Sequence, residues 1–220
     1  MPQSYTSNEL CEESRRSLDE VAGRISVCTR CGLHKHRKNA VPGEGNPCAR
    51  VVFVGEAPGF NEDLQGRPFV GAAGSLLTQL IESAGLNRSA VFITNVVKCR
   101  PPQNRDPTDE EISSCLPYLL EQLRSIKPSL LVTLGRHSTR AVHAIFGIRV
   151  DSIMSARGRI SRVKAEWGEV VLLPTLHPAA ALYNPRLRVL LEEDFRELRN
   201  LIEAEKGRSR GGTLDDFLRL

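Results

Sequence analysis

The chain has 220 residues, 40% of them hydrophobic and 25% charged. This is the balance of an ordinary folded domain and excludes a collagen-like, wholly disordered or membrane-spanning chain. Thirty basic residues against 26 acidic ones leave a net charge of +4, which permits nucleic-acid binding without establishing it. No uncharged apolar stretch approaches the roughly 18 residues of a membrane span, and the N-terminal MPQSYTSNELCEESRR has neither an apolar core nor a cleavage site. A soluble chain in the reducing cytoplasm is therefore expected. Its six cysteines are expected as ligands or free thiols rather than disulfides.

In chain order, residues 8–27 read as a polar helix with Leu18, Val21, Ala22 and Ile25 on one stripe. It ends at the pair Cys28 and Cys31, and a basic, then Gly- and Pro-rich loop follows. Residues 50–55 form a short apolar run between turn signals, a buried strand. Residues 55–74 form a long glycine-rich loop, and SLLTQLIESAGL a helix closed by Gly85. Residues 90–97 are a second buried strand, and 98–107 a loop with three prolines. Thr108 to Glu111 is a capping-box start for a helix reaching about Ile126. Ser129 to Gly135 is a third strand, followed by the helix RHSTRAVHAIFG. Residues 157–174 pattern as a hairpin around Gly168, and a long amphipathic helix runs from Pro185 to Ala204. Repeated strand–loop–helix units with fully apolar strands predict a three-layer α/β/α domain around a mostly parallel, four-stranded sheet. Sites in such folds lie beyond the carboxyl ends of the strands, which brings GEAPG, NVVKCRPP and LHPAA to one rim.

Cys28-x-x-Cys31, Cys99 and Cys115 offer four thiols from two distant segments. They suit one tetrahedral metal site or one iron–sulfur cluster, though four scattered buried thiols would read the same. The fifteen residues between Cys99 and Cys115 do not match the paired knuckles of a zinc ribbon. Cys11 and Cys48 have no partner at ligand spacing and read as non-ligands. On the rim, Glu56, Glu62 and Asp63 lie in a glycine-bent loop, functional or simply a solvated acidic loop. Asn95 closes a buried strand and can read a base edge or cap a turn. Phe69 is either packed or a stacking platform, and His177 either a hydrogen-bond donor or a satisfied core histidine.

Together, CTRCGL, VVFVGEAPGFNEDLQGRPFVGAAGSLL, VFITNVVKCRPPQNRDPT, the cysteine of ISSCLPYL and PTLHPAAAL resemble the family 4, iron–sulfur branch of the uracil-DNA glycosylase superfamily. The resemblance spans residues 28 to about 200. It implies a structural [4Fe–4S] cluster on Cys28, Cys31, Cys99 and Cys115. It also implies a monofunctional enzyme that flips uracil out of DNA and hydrolyses its glycosidic bond for base excision repair. Phe69 would stack on the base, Asn95 would pair with its N3–H and O4 edge, and His177 would donate to O2 as charge builds. Glu56 would position water or stabilise the sugar cation, Glu62 would support the pocket, and the Ala57, Pro58 and Gly59 backbone would shape it. Leu182 or Tyr183 would wedge the gap left by the flipped base, and Arg186 would meet phosphate. A second basic patch lies at Arg30, His34, Lys35, His36, Arg37 and Lys38. Ala179 and Ala180 stand where many superfamily members carry a serine and proline, so backbone amides must replace a hydroxyl there. The histidine by which one subgroup traps DNA covalently is missing from KCRPPQNRDP, so turnover is expected.

The expected domain covers 1–205, and 206–220 is a flexible tail. Leu214, Phe217 and Leu218 in that tail resemble a sliding-clamp-binding peptide, without its leading glutamine. A monomer acting on uracil-containing DNA, with no membrane partner, is expected. Two other classes suit parts of the sequence: a non-catalytic DNA-binding or polymerase-associated iron–sulfur module, and a redox-sensing cluster protein.

Overall fold

A computed structural model describes residues 6–209; the Leu214, Phe217 and Leu218 peptide lies outside them. The core is built from strands whose residues are buried on both faces. Val51–Gly55 (β2), Phe92–Asn95 (β3), Leu130–Leu134 (β4) and the apolar part of Gly168–Thr175 (β6) pair in parallel in the order β3-β2-β4-β6. This is the expected four-stranded parallel sheet. Two antiparallel edge strands extend it to six among the described residues: Glu44–Gly45 (β1) beside β3 and Ser161–Ala165 (β5) beside β6. β5 and β6 form the expected hairpin. β1 escaped the sequence reading because two half-polar residues carry no period.

Period-two alternation splits each central strand between two layers. Val51 and Phe53 of β2 and Val171 and Leu173 of β6 face helices Ala72–Ser83 (α3) and Pro185–Ser209 (α8). Val52, Val54, Val170 and Leu172 face Asp109–Ile126 (α4) and Arg136–Ile145 (α5). Helix Ser7–Ser26 (α1) lies against α4, with Val21 and Ile25 meeting Tyr118 and Cys115. Both long amphipathic starts are capping boxes: Thr108 with Glu111, as expected, and Thr6 with Glu9. Short helices also occupy segments that read as loop, Phe60–Gln65 (α2) and Pro178–Ala181 (α7), and Ile153–Ala156 (α6) a segment given no assignment from sequence. α8 continues through Ser209, four residues beyond the expected boundary at 205. No helix among the described residues is long and apolar enough to cross a membrane.

The cysteines correct one expectation. Cys11 of α1 and Cys48, in the loop before β2, are joined in a disulfide across 37 residues, with Cα atoms 5.5 Å apart. Ligand spacing along the chain could not reveal it, because the fold brings the two sulfurs together. The bond staples α1 to the sheet. Replacing both cysteines by serine should lower the unfolding free energy by about 2–4 kcal/mol, read as a lower thermal midpoint.

Candidate active site

A cleft of about 320 Å³ opens at the carboxyl ends of the strands, lined by Glu56, Ala57, Pro58, Gly59, Glu62, Phe69, Asn95 and His177. The residues singled out on three separate rim segments therefore share one cavity. Pro101, Asn104, Arg105, Ala73 and Ala179 complete its wall; of these the sequence reading singled out only Ala179, since the packing of loop residues such as Asn104 and Arg105 has no period.

Asn95 ends β3 and is 2% exposed. Its Oδ1 is buried without a hydrogen-bond partner, unusual for a buried amide. β2 ends beside it at Gly55, paired with Asn95 in the parallel register. A Cβ on Gly55 would lie 2.2 Å from Asn95 Oδ1 and 2.8 Å from the Phe69 ring. The missing side chain of Gly55 is thus what lets the amide and the ring face the same space. Phe69 sits at φ 53°, 7% exposed, with its main chain pressed on Gly74 of α3, where a Cβ would fall 1.8 Å from Phe69 O. Glu62 of α2 holds the other side of this turn: its Oε1 accepts from Val70 N at 2.9 Å and Gly71 N at 3.1 Å. Asp63, buried, accepts from the amides of Lys38 and Asn39 and fastens α2 to the basic segment.

His177 caps α7 after β6. Its Nδ1 accepts from Ala179 N at 3.2 Å, which leaves the proton on Nε2. Burial pushes its pKa down to about 4, against a smaller opposing pull from Glu62. The ring is therefore a neutral donor at neutral pH. It lies 5.7 Å from the Phe69 centroid. Burial acts on Glu56 in the opposite sense and raises its carboxyl pKa. His137 and Arg136, at the start of α5, favour the anion, and Asp106 disfavours it. The side chains of Glu56, Asp106 and His137 bring polar atoms within 4.8 Å of one another. Arg136 pairs with Asp106 and donates to His137 Nε2 at 3.1 Å. None of Asp106, Arg136 and His137 had a signal in the sequence beyond lying just after a strand or a proline loop.

Beyond the cleft, Leu182 and the 92% exposed Tyr183 project between α7 and α8, with Arg186 exposed one turn on. Arg188 is engaged with Glu192 at 3.0 Å. In the basic patch at 30–38, Lys35, His36 and Lys38 are exposed. Arg37 instead turns inward, to Cys28 O at 3.0 Å, Ser26 O at 2.6 Å and Cys99 Sγ at 3.1 Å. Arg30 lies over the Tyr118 ring at 4.8 Å.

Cys28, Cys31, Cys99 and Cys115 line one small pocket between α1, α4 and the loop after β3. Main-chain amides of Arg30 and Lys98 reach Cys28 Sγ at 3.5 Å and Cys115 Sγ at 3.3 Å. Among the described residues, no three of these thiols come within 4.8 Å of one another. Burial raises the pKa of Cys31 and Cys99 and pushes Cys115 up to about 11. Gly55→Ala should close the cleft to a ligand and also lower the thermal midpoint, both measured on the same preparation, because the added methyl collides with the buried Asn95 amide and with the Phe69 ring of the core.

Residues 42–202 match the family model described as the Uracil DNA glycosylase superfamily. A type-4 uracil-DNA glycosylase of Saccharolobus solfataricus is 51% identical over 203 residues, covering 92% of each chain. One from Thermotoga maritima is 44% identical over 91% of this chain and 99% of its own. A DNA polymerase of Bacillus phage SP01 is 25% identical over 79% of this chain but only 18% of the polymerase. By these matches, and with the superfamily match running across the whole sheet and its cleft, the chain belongs to the uracil-DNA glycosylase superfamily, in its type-4 branch.

Proposed function

We propose that the chain excises uracil from DNA by hydrolysing its N-glycosidic bond, leaving an abasic site for base excision repair. The unpartnered Asn95 Oδ1 carries this reading. Uracil offers N3–H to that oxygen and O4 to the Asn95 amide N–H, and both polar groups become satisfied. Cytosine presents the inverse pattern, an acceptor at N3 and donors at N4, and would leave two buried groups unpaired. Such an arrangement discriminates by roughly 10⁴ or more. A base stacked in the duplex cannot reach Asn95, which is 2% exposed, so the nucleotide must flip into the cleft. Phe69 then stacks on the base, and Leu182 or Tyr183 fills the vacated step. Arg186 and the exposed Lys35, His36 and Lys38 are available to phosphates.

As the bond to the sugar breaks, the electron pair moves onto uracil. His177 Nε2–H donates to O2, where negative charge gathers. Its neutral state suits this role, since a hydrogen bond to the developing anion strengthens as charge builds and no proton need be lost first. The Glu56 carboxylate faces the sugar side, where its charge stabilises the oxocarbenium-like centre and its oxygens orient the attacking water. Glu62, with its carboxylate committed to the amides of Val70 and Gly71, keeps Phe69 in place.

Cys28, Cys31, Cys99 and Cys115 would hold a [4Fe–4S] cluster of structural role. Four thiols and no carboxylate form a soft donor set, which suits iron–sulfur or zinc. Zinc–sulfur bonds of about 2.3 Å place tetrahedral sulfurs roughly 3.8 Å apart, closer than any three of these thiols come. The buried thiols would give up their protons only to a cationic group. When bound, the cluster supplies a crosslink between α1, the loop after β3 and α4.

The test is a duplex with a single uracil, incubated with enzyme and then with alkali. Cleavage at uracil and not at cytosine is expected; no cleavage by an iron-loaded preparation overturns the reading. Activity needs the Glu56 anion, whose pKa is raised, so kcat/KM should fall on acidification through a limb lying above the ordinary glutamate value of about 4.3. Glu56→Gln should remove the limb along with most of the rate. Cys115→Ser should purify with little iron and a lower thermal midpoint, measured by metal analysis and thermal melting; full iron content would reject its assignment as a ligand.

A further inference from the structure

Lys98 is 1% exposed, a lysine in the core between the proposed base-reading residue and a proposed cluster ligand. Its Nζ donates to Thr94 Oγ1 at 2.7 Å, Asn95 O at 2.6 Å and Gln122 Oε1 at 2.7 Å. An ammonium has three protons, so three neutral acceptors saturate it. Such burial is costly, and an apolar side chain would fill the space more cheaply. Stability of the core alone therefore does not account for a lysine here.

The three acceptors do. One is the main-chain carbonyl of Asn95 itself, and another is the side chain of the residue before it. The third comes from α4, where Gln122 Nε2 also donates to Pro42 O at 2.8 Å, the same carbonyl that receives Thr94 Oγ1 at 2.8 Å. Lys98 thus closes a knot that ties the end of β3 to α4 and to the segment before β1. Between the knot and the cleft, Val96 N and Val97 N donate to Gly55 O at 3.0 Å and Glu56 O at 2.9 Å. The carbonyls flanking the proposed catalytic carboxylate are therefore in the same hydrogen-bonded segment as Asn95.

We propose that Lys98 is a positioning residue for base recognition: its ammonium clamps the Asn95 main chain, so that the side-chain amide meets uracil in one fixed orientation. This rests on the reading of Asn95 as the group that pairs with the base. Lys98 touches no substrate. It acts by removing the rotation of the strand end that would otherwise let the unpartnered Oδ1 find a hydrogen bond inside the protein.

The test compares the full-length chain with Lys98→Met and Asn95→Ala, reading iron content, thermal midpoint, kinetics, and affinity for free uracil and for an abasic duplex. In Lys98→Met, kcat should fall about a hundredfold, the loss expected when a reacting geometry slips by about 1 Å, with KM for DNA unchanged. Affinity for free uracil should weaken about tenfold, while iron content and abasic-duplex affinity stay at wild-type levels. A purely structural lysine would lower the midpoint and leave free-uracil affinity alone, and that result overturns the proposal. If Lys98→Met does not fold, Gln122→Leu removes one acceptor from outside the strand. Weaker free-uracil binding then supports the clamp, and unchanged binding rejects it. Full activity in Asn95→Ala would instead overturn the reading of Asn95 on which the clamp depends.

Discussion

A buried amide oxygen with its hydrogen bond unmade is the constraint around which this cleft is arranged. Leaving Asn95 Oδ1 unpaired costs about 1–3 kcal/mol, and the side chain would relieve that cost by turning toward any donor within reach. The surroundings deny it one. Gly55 contributes no side chain, the Phe69 ring presents carbon, and the main chain of Asn95 is held by Lys98 Nζ. A base that brings its own donor would complete that bond, which is how the proposed selectivity would arise from this arrangement.

Burial gives the two ionisable groups of the cleft opposite problems. Low dielectric favours neutral forms, which lowers the pKa of His177 and raises that of Glu56. Neutrality suits the donor role proposed for His177, and Ala179 N selects the tautomer. For the role proposed for Glu56, beside a developing cation, neutrality is a defect. Arg136 and His137, at the start of α5, work against it. The β4–α5 junction thus belongs to the electrostatics of the cleft, although nothing in its local pattern marked it.

The parallel core, its layer order and most helices were legible because fully apolar strands and 3.6-residue stripes leave strong periodic signals. Glu56, Asn95 and His177 were legible because each ends or closely follows a strand, and strands of a parallel sheet end on one rim, whereas Phe69 lies beyond α2 and stood out only as a ring in a glycine-rich loop. The edge strand β1, the short helices α2 and α7, and the continuation of α8 to Ser209 were not, since a few residues of loop-like composition carry no period. The basic patch at 30–38 reads as uniform in sequence, yet Arg37 is committed to main-chain carbonyls and a cysteine sulfur while Lys35 and Lys38 are exposed. Only distances in space separate those two uses of the same charge.

The +4 charge and six cysteines show the division most clearly. By itself the sequence determined which residues could do chemistry, because residue type and position after a strand are local properties. It also set apart the four cysteines that share a pocket from the two that do not. Tertiary structure decided the rest: that Cys11 and Cys48 bond to each other, that Asn95 Oδ1 is left without a partner, and that a lysine fills the core behind it. Those facts depend on which atoms meet in space, Cys11 with Cys48 across 37 residues and Lys98 with Gln122 across 24, or on what fails to meet at all, and no local pattern along the chain encodes a contact that is absent.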